Sequence, residues 1–101
     1  MRFEKSYEDH LREQRRFLVL KLLSERPDEE AESGIIHLAL EGARKGCTYD
    51  QLLGDLVWLE EQGLISLERD QGEVFAKLGL RGRDVAMRRT KYPGIMPPVR
   101  L

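Results

Sequence analysis

From Tyr7 to Ser24 apolar residues recur at helical spacing. Leu11, Leu18 and Leu22 share one face, and Phe17, Val19, Leu20 and Leu23 widen it until Lys21 alone interrupts the run. Ser6 followed by Asp9 reads as an N-cap with an acidic third position, so a helix is predicted to start near Tyr7. Seven residues such as FLVLKLL also suit a buried strand; the continuous capped segment upstream, with no turn residue, favours helix, and Pro27 ends it. PDEEAE reads as an acidic connector. From Ser33 or Gly34 the run IIHLALEGARKG predicts a second helix whose buried side is Ile35, Leu38 and Ala39 with Ile36, Leu40 and Ala43 beside them. Lys45 and Gly46 suit its end, and Thr48 then caps a third helix that stops at Gly63.

Beyond Gly63, LISLE and EVFAKL are short strand candidates around a turn containing Arg69, Asp70, Gln71 and Gly72, which gives a hairpin over about 64–78. A last helical segment is predicted from about Leu80 to Arg89, weakened at its start by Gly79 and Gly82. The tail KYPGIMPPVRL has three prolines and a glycine and should be extended. The expected fold is mainly α with a small β-hairpin, a winged helix-turn-helix over residues 1–91 followed by a proline-containing tail over 92–101. Caps, periodicity and turn chemistry agree on that order.

At 101 residues the chain is one domain with a modest core. Its net charge of −1 hides an uneven distribution: +2 over residues 1–24, −3 over 25–45, −5 over 46–80 and +5 over 81–101. An acidic middle between basic ends is not the composition of a non-specific nucleic-acid coat. The apolar runs are too short for a membrane span and the polar N-terminus is unlike a secretory signal, so a cytoplasmic location is expected. A single cysteine, Cys47, and two histidines, His10 and His37, leave too few ligands for a cysteine-based zinc site. Neither metal nor other cofactor is expected. Glu60 and Glu61 point to different helix faces and the glycines form no phosphate-cradling motif, so an enzyme and a small-molecule substrate are not expected either.

LEEQGLI followed by a short hairpin resembles the end of the recognition helix and the start of the wing in bacterial winged-helix regulators of the ArsR and MarR kind. Across nearly the whole chain, YEDHLREQRRFLVLKLLSE, DLVWLEEQGL, GRDVA and YPGIMPP are similar to a family of small proteins from Mu-like phages and prophages. That resemblance implies a winged-helix fold in a phage-encoded protein from a region near head and packaging functions. It supplies no catalytic or base-reading residue. Where such domains often carry a Leu-Thr pair that caps the helix after the wing, this chain has Leu78 and Gly79, and glycine has no side chain to accept with.

The third helix raises the functional question. On the expected packing, Leu52, Leu56 and Leu59 form the buried stripe flanked by Tyr49, Leu53 and Val57, which leaves Gln51, Gly54, Asp55, Trp58, Glu61 and Gln62 outward. Through Gln62 this helix carries Asp50, Asp55, Glu60 and Glu61 and not one Lys or Arg. Duplex DNA attracts proteins mainly through its phosphates, so carboxylates on the docking face oppose binding. An outward tryptophan instead suits a protein contact, unless the N-terminal arm, hairpin or tail covers it. Gln51, Asp55 and Trp58, with Tyr92, Ile95 and Met96 on the stiff tail, are therefore the candidate partner-contact residues, for another protein or a second copy. Arg69, Arg81, Arg83, Arg88, Arg89 and Lys91 are the candidates for nucleic acid, with a solvated or ion-paired face as the plainer reading. Two functions follow: a phage-related protein-interaction module of assembly or packaging, or a DNA-binding regulator of the winged helix-turn-helix type.

Overall fold

The computed structural model describes residues 6–98. It contains helix α1 (Tyr7–Ser24), strand β1 (Glu30–Glu32), α2 (Ser33–Gly42), α3 (Tyr49–Glu61), β2 (Ile65–Asp70), β3 (Glu73–Leu78) and α4 (Leu80–Ala86). The architecture is thus four helices and a three-stranded antiparallel sheet in the order β1-β3-β2.

α1 begins with a reciprocal capping box: Asp9 N–H donates to Ser6 Oγ at 3.1 Å and Ser6 N–H donates to Asp9 Oδ2 at 3.3 Å. These bonds hold the Asp9 carboxyl below the usual aspartate range. Phe17, Val19, Leu20 and Leu23 face the core, whereas Leu18 and Leu22 are half-buried at its edge. The hairpin turns tightly at Gln71 and Gly72, both at positive φ (51° and 84°), which is the pattern of a type I′ turn; strand pairing therefore continues to Asp70 opposite Glu73.

Four features differ from the expectation. The acidic connector contains β1, which pairs with β3 so that Ala31 lies opposite Ala76. Ala31 is its only inward residue, so three residues of Glu-Ala-Glu carry no readable apolar alternation. α2 is rotated about its axis: Ser33, Ile36 and Leu40 are buried, while Ile35 and Leu38 face solvent. It also ends earlier, at Gly42, because Arg44 takes the left-handed conformation (φ 60°) expected of Gly46, and Lys45 N–H reaches back to Leu40 O at 2.9 Å. α4 stops at Ala86 by the same device, with Arg88 at φ 59° and Arg89 N–H donating to Asp84 O at 2.9 Å, so of the basic run only Arg81 and Arg83 lie on the helix and Arg88, Arg89 and Lys91 lie beyond it. Finally, the tail is not extended where it leaves Lys91. Tyr92-Pro93-Gly94-Ile95 forms a turn closed by Ile95 N–H to Tyr92 O at 3.1 Å, with Gly94 at φ 88°. Ile95 is buried and Met96 N–H donates to Glu13 O at 3.2 Å, so this segment folds back over its own domain.

Gly82 has a structural duty that helix propensity hides. A Cβ there would lie 2.1 Å from Leu64 O and 2.9 Å from Leu78 Cδ1, so α4 sits directly on the backbone that leaves α3. Gly79 N–H donates to the same Leu64 O at 2.9 Å and compensates for the missing side-chain cap on α4.

Candidate interaction surface on helix 3

α3 is fixed at both ends. Gln51 N–H donates to Thr48 Oγ1 and Thr48 N–H to Gln51 Oε1, each at 3.0 Å, so Gln51 closes a capping box while its side chain stays exposed on the groove. At the other end Gly63 adopts φ 76° and Leu64 N–H donates to Leu59 O at 3.1 Å. Arg81 approaches this end, 3.2 Å from where a Gly63 Cβ would stand, and sets a cation beside the negative pole of the helix.

The outward placement of Asp55 is overturned. Its side chain is 4% exposed and sits against α1, where Arg15 Nε donates to Oδ2 at 2.5 Å and Arg16 Nε lies 3.5 Å from Oδ1. At roughly 100° per residue Asp55 lies only about 60° from Leu52, at the border of the buried stripe rather than on the opposite side where it is expected. Burial pushes the Arg16 guanidinium below its ordinary range, an effect the Asp55 carboxylate opposes.

Trp58 is likewise not a free aromatic. The Arg16 guanidinium stacks 3.9 Å from the centre of its ring, and Tyr92 meets it edge-on at 6.2 Å and 86°. Arg16 Nη1 donates to Gly94 O at 3.1 Å, and Tyr92 Oη donates to Gln62 Oε1 at 2.6 Å. A Cβ on Gly94 would stand 3.1 Å from the indole, so the turn can lie flat on Trp58 only with glycine there. Of the six partner-contact candidates, the structure therefore brings Asp55, Trp58 and Tyr92 into one cluster with Arg15 and Arg16. Ile95 and Met96 line a second groove of about 770 Å³ with Phe17, Val85 and Arg88. Between α1 and α3 a groove of about 590 Å³ remains open, lined among others by Arg12, Gln51, Gly54, Val57, Trp58 and Glu61.

No family model matches the chain. Over 90 residues it is 33% identical to the protein described as "Uncharacterized protein gp26" of Escherichia phage Mu, a match that covers 89% of this chain and 93% of the relative. The chain belongs to the phage Mu gp26 family. In this member of the gp26 family Lys91 shares one groove lining with Arg88 and another with Arg81, while Arg69, Arg83 and Arg89 lie in neither. Arg83 makes a bidentate pair with Glu29, with Nε donating to Oε2 at 2.8 Å, which holds the Glu29 carboxyl below its usual range. Arg89 pairs with Asp84 at 3.1 Å, Arg88 lies 5.3 Å over the Phe17 ring, and Arg81 flanks Gly63. Arg69, at the hairpin, and Lys91, before the turn, are exposed.

Arg15 and Arg16, which organise the cluster, were not among the sequence candidates. The available signal was the adjacent Arg pair directly before FLVLKLL, cations at the start of the buried segment that call for an acidic partner elsewhere. Other groups have ordinary duties. Glu60 Oε2 accepts from Leu67 N–H at 3.0 Å, His37 Nε2 lies 2.6 Å from Cys47 O, and burial pushes the Cys47 thiol up. Among the described residues no helix is long and apolar enough to cross a membrane.

Proposed function

We propose that this chain is a non-enzymatic winged-helix module of a phage, acting in assembly or packaging by binding another protein through the groove between α1 and α3. Three helices followed by a hairpin, with α3 leading directly into β2, support the winged-helix reading. The observation that carries the function is the composition of the solvent-facing side of α3. Asp50, Gln51, Gly54, Val57 and Glu61 are exposed there and none is a cation. The arginines nearest that face, Arg15 and Arg16, are engaged by Asp55, Trp58 and Gly94. A surface with an apolar centre and a mixed polar rim suits a polypeptide better than a phosphate backbone.

DNA binding is the competing reading, supported by exposed Arg69, Arg81, Arg88, Arg89 and Lys91. Two measurements separate the readings. Fluorescence anisotropy with labelled duplex DNA should give no affinity that falls steeply as salt rises. Co-expression with the structural proteins of its phage should give a co-purifying partner that is lost on Val57→Arg, a change at an exposed position that leaves the fold intact. Tight, steeply salt-dependent duplex binding that disappears with Arg69→Ala and Lys91→Ala would overturn the proposal.

A further inference from the structure

The turn that seats on Trp58 also walls a trough beside α4. The larger part of this trough, about 770 Å³, has Phe17, Val85, Ile95 and Met96 as an apolar floor, with the exposed Arg88 and Lys91 beside it. A smaller part of about 400 Å³ continues from it, because Val85, Thr90, Lys91 and Tyr92 line both, and it reaches Leu64 and Arg81. The charges around the trough are unevenly matched. Arg83 and Arg89 are taken up by Glu29 and Asp84, whereas among the described residues no carboxylate pairs with Arg81, Arg88 or Lys91. Arg88 lies 5.3 Å over the Phe17 ring, and a guanidinium on a ring face keeps its N–H groups available to an acceptor. Two acids line the trough as well, and both are engaged: Asp84 by Arg89 at 3.1 Å, and Glu13 as a buried residue whose charge acts on Arg16.

We propose that this trough binds an acidic segment of another protein, whose apolar side chains enter the floor while flanking carboxylates meet Arg88, Lys91 and Arg81. Charge fixes the sign of the occupant. A basic segment would be repelled by three cations, and a purely apolar one would cover them without a counterpart. A carboxylate supplies that counterpart, and the planar guanidinium of Arg88 or Arg81 can take it in two parallel hydrogen bonds. The floor decides between polyanions. A nucleic-acid backbone has no apolar side chain to set against Phe17, Val85, Ile95 and Met96, and it would carry closely spaced phosphates past Glu13 and Asp84. A polypeptide can instead leave a gap between its carboxylates and fill that gap with a leucine or phenylalanine. The larger part of the trough is within the size range of sites that take a few such groups.

This surface is separate from the α1/α3 groove, and the two readings stand or fall independently. Fluorescence anisotropy of the labelled, end-blocked peptide Glu-Glu-Leu-Phe-Glu-Glu with the full chain should show saturable binding that weakens as salt rises. Gln-Gln-Leu-Phe-Gln-Gln, without the carboxylates, and Glu-Glu-Ser-Ser-Glu-Glu, without the apolar pair, should each bind about tenfold more weakly. Lys91→Ala should weaken the acidic peptide several-fold, and so should Arg88→Asn, which removes the cation but keeps a residue tolerant of the left-handed backbone at φ 59°. Both variants should unfold at the wild-type midpoint, since both positions are exposed. The proposal is overturned by an acidic peptide that does not bind at about 1 mM, or by binding indifferent to the carboxylates, the apolar pair or both substitutions. Displacement of the peptide by duplex DNA would give the trough to phosphate. A dimer in sedimentation velocity that the peptide dissociates would give it to a second copy, and either result also overturns the proposal.

Discussion

Gly54 and Gly82 are both helical glycines, and propensity alone assigns Ala at either site a gain of up to about 1 kcal/mol. The surroundings separate them. A Cβ on Gly54 meets nothing within 4 Å, so Gly54→Ala should realise most of that gain. A Cβ on Gly82 would stand 2.1 Å from Leu64 O, and this oxygen belongs to backbone held by the Gly79 N–H at 2.9 Å. Making room means moving α4 off the strand entry or breaking that hydrogen bond. Overpacking of this kind costs about 1–3 kcal/mol and the hydrogen bond about 1 kcal/mol, so the helix gain is outweighed and Gly82→Ala should lose roughly 2 kcal/mol. In a domain of this size that corresponds to a melting temperature lower by about 10 °C. Urea unfolding of the wild type and both variants, fitted with a common slope, measures the difference directly. A Gly82→Ala protein as stable as the wild type, or more so, would refute the close approach of α4 to Leu64.

Asp55→Ala should cost about 3 kcal/mol in the same assay, because it leaves Arg15 and Arg16, whose side chains are 10% and 14% exposed, without their shared carboxylate; a near-neutral result would return Asp55 to the surface. Trp58 is the only tryptophan, so Tyr92→Ala should red-shift its emission and increase quenching by acrylamide, and unchanged fluorescence would mean that the tail does not cover it. The pair between Glu29 and Arg83 makes stability depend on acid. The Glu29 carboxyl titrates lower in the folded chain than unfolded, so its contribution is complete above the ordinary glutamate value and disappears as pH falls through the folded one. Wild type and Glu29→Gln should therefore differ most near neutrality and converge once the pH has fallen through the lowered folded value, as seen by thermal unfolding across pH; curves that stay parallel would remove the linkage.

Local chemistry made much of this fold legible. Ser6 and Asp9, Thr48, and Gln71 with Gly72 act within a few residues of themselves, and the helices and hairpin they delimit lie close to where the sequence puts them. β1 was not legible because Ala31 is its only inward side chain and its identity as a strand comes from β3. α2 was legible as a helix but not in its rotation: with Ile35, Ile36, Leu38, Ala39 and Leu40 spread around it, apolarity marks no single face and only the neighbouring elements choose one. Arg44 in the left-handed conformation ended α2 before the expected Gly46, and Arg88 in the same conformation ended α4 inside a segment expected to stay helical to Arg89. The cluster beneath α3 was out of reach because its bonds span 40 residues from Arg15 to Asp55 and 78 from Arg16 to Gly94.

The electrostatics of α3 therefore rest on different ground from that suggested by residue types alone. Asp55 does not repel phosphate, since two arginines of α1 neutralise it at short range. Those arginines are themselves withdrawn from solvent by the carboxylate, the indole and the Gly94 carbonyl, so the positive charge that α1 brings to this side of the molecule is largely used internally. Arg12, at the mouth of the groove, shares its charge with Asp9 at 3.2 Å. What reaches the surface of α3 is Asp50 and Glu61 around Gln51, Gly54 and Val57, a face with little attraction for a polyanion and an open glycine at its centre where another backbone can come close.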